Sequence, residues 1–277
     1  KEPCRECQVF ILTVGTPLND EYVPRMDMVE RSGNWVADVM PEDSLIILRS
    51  TVRLGTTENV VLPILKGSGK RFQLAYCPER TVEGRALEEL RSLPQIVGGL
   101  TDADAWRASK IFQRLTPTTI RVSTLKTAEI IKLLDNSFRD LFFSFGNEVA
   151  LLAEAAGLDG IEVIKAANTG YERTNIAKPG FVGGPCLEKD PHILRHSFMG
   201  LDYEPRLIST GRQLNEELPQ IVTNMILEWV RKNNAPADMK ITVCGLAFKG
   251  RPETDDLRGT PAKLIIAALR DAFPQSR

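Results

Sequence analysis

Short, mainly apolar runs recur along the first half of the chain, and sequence of helical character separates them. The first three are VFILTV at 9–14, SLIILR at 44–49 and FQLAY at 72–76, and shorter runs follow at 95–97 and near Ile120. Apolar runs without polar alternation are typical of parallel strands buried on both faces. Their alternation with helices predicts an α/β fold with a mostly parallel sheet.

Polar residues follow three of these predicted strands. Thr16 comes after the first, Thr51 after the second and Glu79 after the third. In parallel sheets, ligands bind beyond the carboxyl ends of the strands. The three residues are therefore candidates for a ligand site at this edge of the sheet.

The composition of the sequence changes near residue 124. The stretch 127–156 contains no proline and only one glycine, Gly146, and Gly157 supplies a stop signal. These features predict a helix roughly 45 Å long. Because it is apolar nearly all round, we expect it to be buried, either within the chain or against a symmetry mate.

Four polar residues interrupt this apolar helix at spacings of three and four, and therefore share one face: Glu129, Lys132, Asn136 and Asp140. A lysine and an asparagine one turn apart are costly to bury unless they meet something polar. Together they offer a cation and an amide donor to a developing oxyanion. The alternative is a solvated stripe or a ladder of intrahelical ion pairs.

The sequence GFVGGPCLEKDPHIL at 180–194 has the composition of a loop shaped around a ligand. Glycines such as Gly180, Gly183 and Gly184 allow close backbone approach and positive φ. Cys186 lies at the expected apex. The alternative reading is a surface turn that carries an inert cysteine.

The neighbours of this cysteine suit a nucleophile. Lys189 and a helix that begins near Pro191 form an environment that lowers the pKa of a cysteine. Asp190 is placed to orient a water molecule or to accept a proton.

Composition narrows the classes of function. The chain has 277 residues, five cysteines, two histidines and a formal net charge of -1. This charge gives no reason to expect nucleic acid or an anionic membrane as a partner. Apart from Cys4 and Cys7, the cysteines show no metal-ligand spacing, so no metal site is predicted. The absence of spanning or signal-peptide patterns predicts a cytoplasmic protein.

Six segments in register resemble the nucleotide-sugar dehydrogenase family, typified by UDP-glucose and UDP-N-acetylmannosamine dehydrogenases. Besides the cysteine loop, they are TVGTP at 13–17, STVRLGTTE at 50–58, CPERTVEG at 77–84, AEIIKLLDNSFRD at 128–140 and GLAFKGRPETDDLRGTP at 245–261. The resemblance implies a partial Rossmann-like NAD domain at 1–123 and a central all-helical dimerisation domain at 124–236. A second Rossmann-like, UDP-binding domain would begin at 237–277, with 240–248 as its first strand.

The activity implied by the resemblance is an NAD-dependent oxidation of a UDP-sugar primary alcohol to a carboxylate. Cys186 would form a thiohemiacetal and then a thioester. Lys132 and Asn136 would stabilise the oxyanion, Asp190 would position water and protons, and Glu79 would accept a proton or activate water.

The resemblance also assigns binding roles and a homodimer formed through the helical domain. The cofactor residues implied are Thr16, Thr51, Glu83 and Arg258. The substrate residues implied are Arg173, Gly180, Gly183 and Lys249, and Arg173 would reach the substrate of the neighbouring subunit. No metal is implied.

Two further expectations concern the extent of the chain and the sugar. The family's GxGxxG turn and the end of its UDP-binding domain have no counterpart here, so we expect a chain truncated at both ends. The sequence from Asn136 through Arg139 to Asp140 resembles the N-acetylhexosamine branch and favours UDP-N-acetylmannosamine.

Two other functions stay open at this point. A two-electron hydroxyacid dehydrogenase also carries a lysine and an asparagine one turn apart but needs no cysteine. A dimerising fragment that binds nucleotide sugar without catalysis would share the same motifs.

Overall fold

A computed structural model describes residues 2–236 and 238–274 of the chain. The chain forms two compact units. The first comprises the residues up to 135 together with 192–203, and the second comprises 136–191 together with the residues from 204 onward. The domain boundaries predicted at 123 and 236 stay predictions.

The first unit contains a five-stranded sheet in the sequential order β1-β2-β3-β4-β5. The strands are β1 (Val9–Leu12), β2 (Ser44–Leu48), β3 (Phe72–Tyr76), β4 (Gln95–Gly99) and β5 (Thr119–Val122). Neighbouring strands are parallel except for β3 and β4, which are antiparallel. The predicted α/β fold with a mostly parallel sheet is confirmed. The reversed direction of β4 was not predicted, because an apolar run does not encode the direction of its strand.

Helices connect these strands. They are α1 (Asp27–Val39), α2 (Leu62–Gly67), α3 (Ala86–Ser92) and α4 (Asp102–Phe112), and a π-helical turn at Thr57–Val61 leads directly into α2. The N-terminus of α4 is capped by Thr101, whose side chain accepts a hydrogen bond from the Asp104 amide.

The core of this unit lies on both faces of the sheet. Ile46 and Leu48 face one cluster, which includes residues of α1 and α2. Leu45 and Ile47 face a second cluster, which includes Phe112 of α4. Because successive side chains of a strand point to opposite faces, a strand covered on both sides must be apolar at every position. This accounts for the apolar run from Leu45 to Leu48 in β2.

The long helix α5 (Leu125–Ala155) is 31 residues and therefore about 46 Å long. It ends as predicted near Gly157, whose φ of +72° favours glycine. Within the single chain this helix is not buried all round, and its burial against a symmetry mate stays a prediction. Phe138, Phe145 and Leu152 are 69%, 55% and 63% exposed.

The second unit consists of helices and irregular segments within the described residues. Besides most of α5, its helices are α6 (Gly160–Asn168), α8 (Arg206–Lys232) and α9 (Ala262–Ala272), and α7 (Asp190–Ser197) contributes only its first two residues. The predicted strand at 240–248 was wrong, because the described residues of this stretch form no strand and none of them is buried. A parallel strand needs hydrogen-bonded neighbours, and this unit supplies no other strand among its described residues.

Candidate active site

Polar side chains meet where β1, β2 and β3 end. The Thr16 hydroxyl donates to the Thr51 carbonyl at 2.5 Å, and the Ser50 hydroxyl donates to the Val14 carbonyl at 2.6 Å. The Tyr76 hydroxyl donates to the Ser50 carbonyl at 2.9 Å. The predicted neighbours Thr16 and Thr51 are therefore in direct contact at the carboxyl edge of the sheet.

Glu79 lies at the same edge and is held by a buried arginine. Arg49 follows β2 and forms an ion pair with Glu79. Its guanidinium also donates to the Gln95 amide oxygen at 2.8 Å and lies 4.8 Å from the centre of the Phe112 ring. The Thr81 amide donates to the other Glu79 oxygen at 2.8 Å. Glu79 is thus fixed in one orientation.

The same contacts lower the pKa of Glu79. Desolvation raises this pKa, but the charge of Arg49 and hydrogen bonds from Thr81 and Arg49 together outweigh it. Glu79 is therefore ionised at neutral pH, the form in which a carboxylate accepts protons. Its ionisation stabilises the fold above the pKa of the unfolded chain, and this contribution is lost as pH falls through the lower pKa of the folded state.

Replacing Arg49 with methionine is expected to raise the pKa of Glu79, because desolvation then acts without the opposing charge. If Glu79 is the base of the reaction, the acidic limb of the profile of kcat/KM against pH moves to higher pH. Kinetics across the pH range measure the shift. Arg53→Met, at an exposed position in the same exit segment, serves as the control. An unmoved acidic limb in Arg49→Met would contradict a role for Glu79 as that base.

Glu129, the first member of the polar stripe on α5, holds the loop after β2. Its carboxylate accepts hydrogen bonds from the Gly55 amide at 2.5 Å, the Thr57 amide at 2.8 Å and the Thr57 hydroxyl at 2.6 Å. Burial raises the pKa of Glu129, and the Thr57 and Gly55 hydrogen bonds oppose this effect. Glu129 therefore supports the loop that begins at Thr51, which accounts for one polar residue of the stripe.

Lys132 is only 7% exposed, yet no hydrogen bond or ion pair of its side chain is present within 2–236 and 238–274. The covered stem of this side chain leaves the ammonium nitrogen in limited contact with solvent, since this nitrogen is not one of the fully buried unpaired polar atoms of the described residues. Lys132 is therefore the member of the stripe best suited to meet an anionic group of a ligand.

Asn136, one turn further along α5, is paired with the cysteine loop. Its side-chain amide donates to one carboxylate oxygen of Asp190 at 2.5 Å, and the Lys189 ammonium donates to the other at 2.7 Å. Asp190 is fully buried. The predicted residues Asn136 and Asp190 are therefore in direct contact. Lys189, which was expected to act on the Cys186 thiol, forms an ion pair with Asp190.

Cys186 is exposed within a run of turns that leads into α7. Its carbonyl accepts hydrogen bonds from the Lys189 amide at 3.2 Å and the Asp190 amide at 2.9 Å, so its backbone is fixed against the first residue of α7. In contrast, burial raises the pKa of Cys77 to about 12, and this thiol is inert at neutral pH. The five cysteines, all within the described residues, form no disulfide.

Two glycines of the loop allow close packing against the segment around Gly259. A Cβ atom on Gly183 would lie 2.1 Å from the Gly259 carbonyl oxygen. The Gly184 amide donates to that same oxygen at 2.9 Å, and its φ of +94° favours glycine. This backbone contact accounts for Gly183 without a ligand, and its role in binding substrate stays a prediction.

Three of the other predicted binding residues contact side chains one or two positions away along the chain. Arg258 is exposed and its guanidinium donates to Asp256 at 2.8 Å. The Lys249 ammonium lies 5.2 Å from the centre of the Phe248 ring. Arg173 lies over the Tyr171 ring at 4.6 Å. Glu83 is half-buried in the turn before α3, and Gly180 is exposed. Their roles stay predictions.

Sequence analysis did not identify several residues that support the site. Arg49 and Gln95 hold Glu79, and the available signal was an arginine placed directly after an apolar strand. Asn147 accepts a hydrogen bond from the Gly180 amide at 2.8 Å. It continues the polar stripe of α5 two turns beyond Asp140, which was the available signal.

A mostly parallel sheet with polar groups at its carboxyl edge is typical of α/β proteins that bind nucleotides and other small ligands. A model of the UDP-glucose/GDP-mannose dehydrogenase family, NAD binding domain, matches residues 1–116, and the model of the central domain of that family matches 126–217. The chain belongs to the UDP-glucose/GDP-mannose dehydrogenase family. The predicted family and its cofactor, NAD, are thereby confirmed at the level of the family.

Relatives share both sequence and fold with the chain. The UDP-N-acetyl-D-mannosamine dehydrogenase of Pyrococcus horikoshii is 36% identical over 282 residues, which cover 100% of this chain and 66% of that protein. The structure of the UDP-D-ManNAc dehydrogenase from Pyrococcus horikoshii matches with a TM-score of 0.90 and 34% identity, over 99% of this chain and 65% of the other. A UDP-glucose dehydrogenase structure from Pyrobaculum islandicum matches with a TM-score of 0.86 and 25% identity, over 100% and 64%.

The chain thus spans 66% of the length of that curated relative. Within the described residues, no helix is both long and apolar enough to cross a membrane. In the same residues, no group of three or more histidine, cysteine, aspartate or glutamate side chains is arranged to hold a metal ion.

Proposed function

We propose that the protein to which this chain belongs oxidises a UDP-sugar primary alcohol to the carboxylate with NAD, removing four electrons in two steps. The observation that carries the proposal is the cysteine loop. Cys186 is exposed, and four residues later the buried Asp190 is fixed by the Asn136 amide at 2.5 Å. This arrangement supplies an exposed thiol and, four residues further along the same segment, a carboxylate that an amide holds in place.

Residues at the carboxyl edge of the sheet fit NAD. Thr16 and Thr51 join the ends of two parallel strands at the edge where α/β sheets bind nucleotides. Thr16, Thr51, Glu83 and Arg258 are the residues we propose to hold it. When bound, NAD supplies an acceptor for the hydride that leaves the carbinol carbon.

The first oxidation requires loss of a proton from the sugar hydroxyl as hydride leaves its carbon. Glu79 suits the acceptance of that proton, directly or through a water molecule, because Arg49 keeps its carboxylate ionised. The product of this step is an aldehyde.

The second oxidation proceeds on the cysteine. The Cys186 thiolate adds to the aldehyde carbon and forms a thiohemiacetal, whose oxyanion is stabilised by Lys132 and the Asn136 amide. Loss of a second hydride, which a second NAD molecule would accept, gives a thioester. Water positioned by Asp190 attacks the thioester carbonyl, the carbon–sulfur bond breaks, and the carboxylate and the free thiol are released. Arg173, Gly180, Gly183 and Lys249 are the residues we propose for substrate binding.

The ratio of NADH to sugar tests this proposal. The intact protein is expected to release two NADH for each molecule of UDP-N-acetyl-D-mannosamine consumed, measured by absorbance at limiting substrate. One NADH per sugar together with an unimpaired Cys186→Ala variant would support a two-electron dehydrogenase. If no UDP-sugar is oxidised but one binds by calorimetry, the chain is a non-catalytic binder.

UDP-N-acetylmannosamine is the proposed substrate because the relative with 36% identity is a UDP-N-acetyl-D-mannosamine dehydrogenase. The similarity in fold to a UDP-glucose dehydrogenase, with a TM-score of 0.86, shows that the backbone alone does not select the sugar. A comparison of kcat/KM for UDP-N-acetylmannosamine, UDP-N-acetylgalactosamine and UDP-glucose decides between them. Cysteines that form no disulfide fit a reducing compartment, and we propose that the reaction takes place in the cytoplasm.

We also propose that the protein is a homodimer formed through α5. Phe138, Phe145 and Leu152 recur every seven residues, so they lie along one face of the helix, and all three are exposed. Apolar stripes of this kind are typical of helices that bind a partner. A second copy presents the same stripe and can bury both.

Replacing both Phe138 and Phe145 with glutamate is expected to separate the dimer into monomers, because charge would have to be buried at the centre of the interface. Sedimentation velocity at micromolar concentration measures the change in mass. The double variant Leu87→Glu/Trp106→Glu, at exposed apolar positions of the first unit, is the control and should sediment as a dimer. A dimeric Phe138→Glu/Phe145→Glu variant would place the interface elsewhere.

A further inference from the structure

Asp140, the last member of the polar stripe on α5, has no part in the reaction described above. Its carboxylate is 1% exposed and accepts a hydrogen bond at 2.7 Å from the buried guanidinium of Arg212 on α8. Asn215, also on α8, donates to the same carboxylate oxygen at 3.0 Å and to the Asp140 carbonyl at 3.0 Å. The pair is therefore desolvated and bound on several sides.

This cluster ends on the backbone of the cysteine loop. The same Arg212 nitrogen that binds Asp140 also donates to the Leu187 carbonyl at 3.0 Å, one residue after Cys186. At the other end, Asn215 accepts a hydrogen bond from the Asn147 side chain at 3.0 Å, and Asn147 accepts the Gly180 amide at 2.8 Å. One continuous set of hydrogen bonds thus links α5 and α8 to both flanks of Cys186.

Stability alone is a weak explanation for this cluster. Well-packed apolar residues commonly replace a buried ion pair without loss of stability. Apolar replacements, however, cannot hold a loop carbonyl and a loop amide in fixed places. Loops without such anchors are the least protected parts of a fold. The two contacts with the loop backbone are what an apolar substitute would lose.

We propose that Arg212 is a positioning residue, which Asp140 orients and which fixes the loop on both sides of Cys186 through Leu187 and the Asn215–Asn147 pair. The proposal rests on the proposed function in one respect, since it takes Cys186 as the group that must be placed. The anchoring itself is a property of the folded chain and does not depend on turnover.

Hydrogen exchange of the intact protein tests the anchoring. In Arg212→Met, amides of segment 180–190 are expected to exchange about tenfold faster, while peptides of α5 and α6 keep their rates. Arg231→Met, at an exposed position of the same helix, is the matched control and should leave the loop unchanged. If Arg212→Met does not fold, Arg212→Lys is used, because one ammonium keeps the charge but replaces the planar group that reaches both Asp140 and Leu187. Unchanged loop exchange, or acceleration spread equally over α5 and α6, overturns the proposal.

Kinetics separate positioning from a merely structural role. With UDP-N-acetyl-D-mannosamine, the kcat of Arg212→Met is expected to fall roughly 10- to 100-fold while KM changes less than about threefold, since a small misplacement of a reacting group lowers the rate without removing substrate contacts. An unchanged kcat in an active protein overturns the positioning role. If the parent protein has no dehydrogenase activity, the proposed function fails. Faster exchange confined to the loop in Arg212→Met would still support the anchoring.

Discussion

Cys186→Ala is expected to reduce carboxylate formation on the order of 10⁴-fold or more, since removal of a catalytic nucleophile has effects of this size. The exposed thiol is the nucleophile of the proposed second oxidation, and alanine provides no atom that can form the thioester. The fold should be retained, because an exposed side chain contributes little to the core. Carboxylate is measured by mass spectrometry and NADH by absorbance under the same conditions.

Cys244→Ala is the matched control for this prediction. Cys244 is also exposed and lies in the second unit, but nothing in the proposed reaction uses it. Its activity and melting temperature should equal those of the parent protein. If Cys186→Ala produces carboxylate at the parent rate, the covalent route is wrong, and addition of water to the aldehyde followed by loss of hydride from the hydrate would have to replace it.

The fold could be predicted where one physical requirement determines the sequence. A strand covered on both faces must be apolar at each position, and the strands β1 to β3 were found in this way. The direction of β4 depends on the path of the chain after β3, and no local feature of the sequence indicates that path. The segment 240–248, in contrast, was predicted as a strand and forms none. Its composition suits a strand, but a strand exists only where neighbours complete its hydrogen bonds.

The candidate site was predictable to the extent that its residues follow a periodic pattern. The spacing of Glu129, Lys132, Asn136 and Asp140 placed them on one face before any contact was known. Their partners could not be deduced, because Thr57 lies 72 residues from Glu129 and Arg212 lies 72 residues from Asp140. Such pairs are set by tertiary packing, which a single sequence does not display. Glu129 and Asp140, at the ends of the stripe, therefore support neighbouring segments. Lys132 and Asn136, at its centre, are the candidate reactive groups.

Lys132→Met is expected to lower activity while leaving the free energy of unfolding nearly unchanged. The side chain is 7% exposed and makes no hydrogen bond or ion pair within the part of the chain that the structure describes. Removal of one oxyanion donor commonly lowers kcat by about 10²- to 10³-fold. Methionine has a similar shape, and the substitution removes no hydrogen bond or ion pair of the described residues, so the free energy of unfolding should change by less than about 1 kcal/mol. Steady-state kinetics and chemical denaturation measure the two effects.

Lys126→Met is the control, because Lys126 lies on the same helix, is exposed and pairs with Glu58 at 3.1 Å. Loss of a surface ion pair should change stability by less than about 1 kcal/mol and leave kcat unchanged. The change in stability at Lys132 separates two explanations that activity alone does not. A lysine kept for structure would have a partner, so its removal would destabilise the fold. A lysine kept for an anionic reaction intermediate has its partner only during the reaction, so its removal leaves the stability of the free protein nearly unchanged.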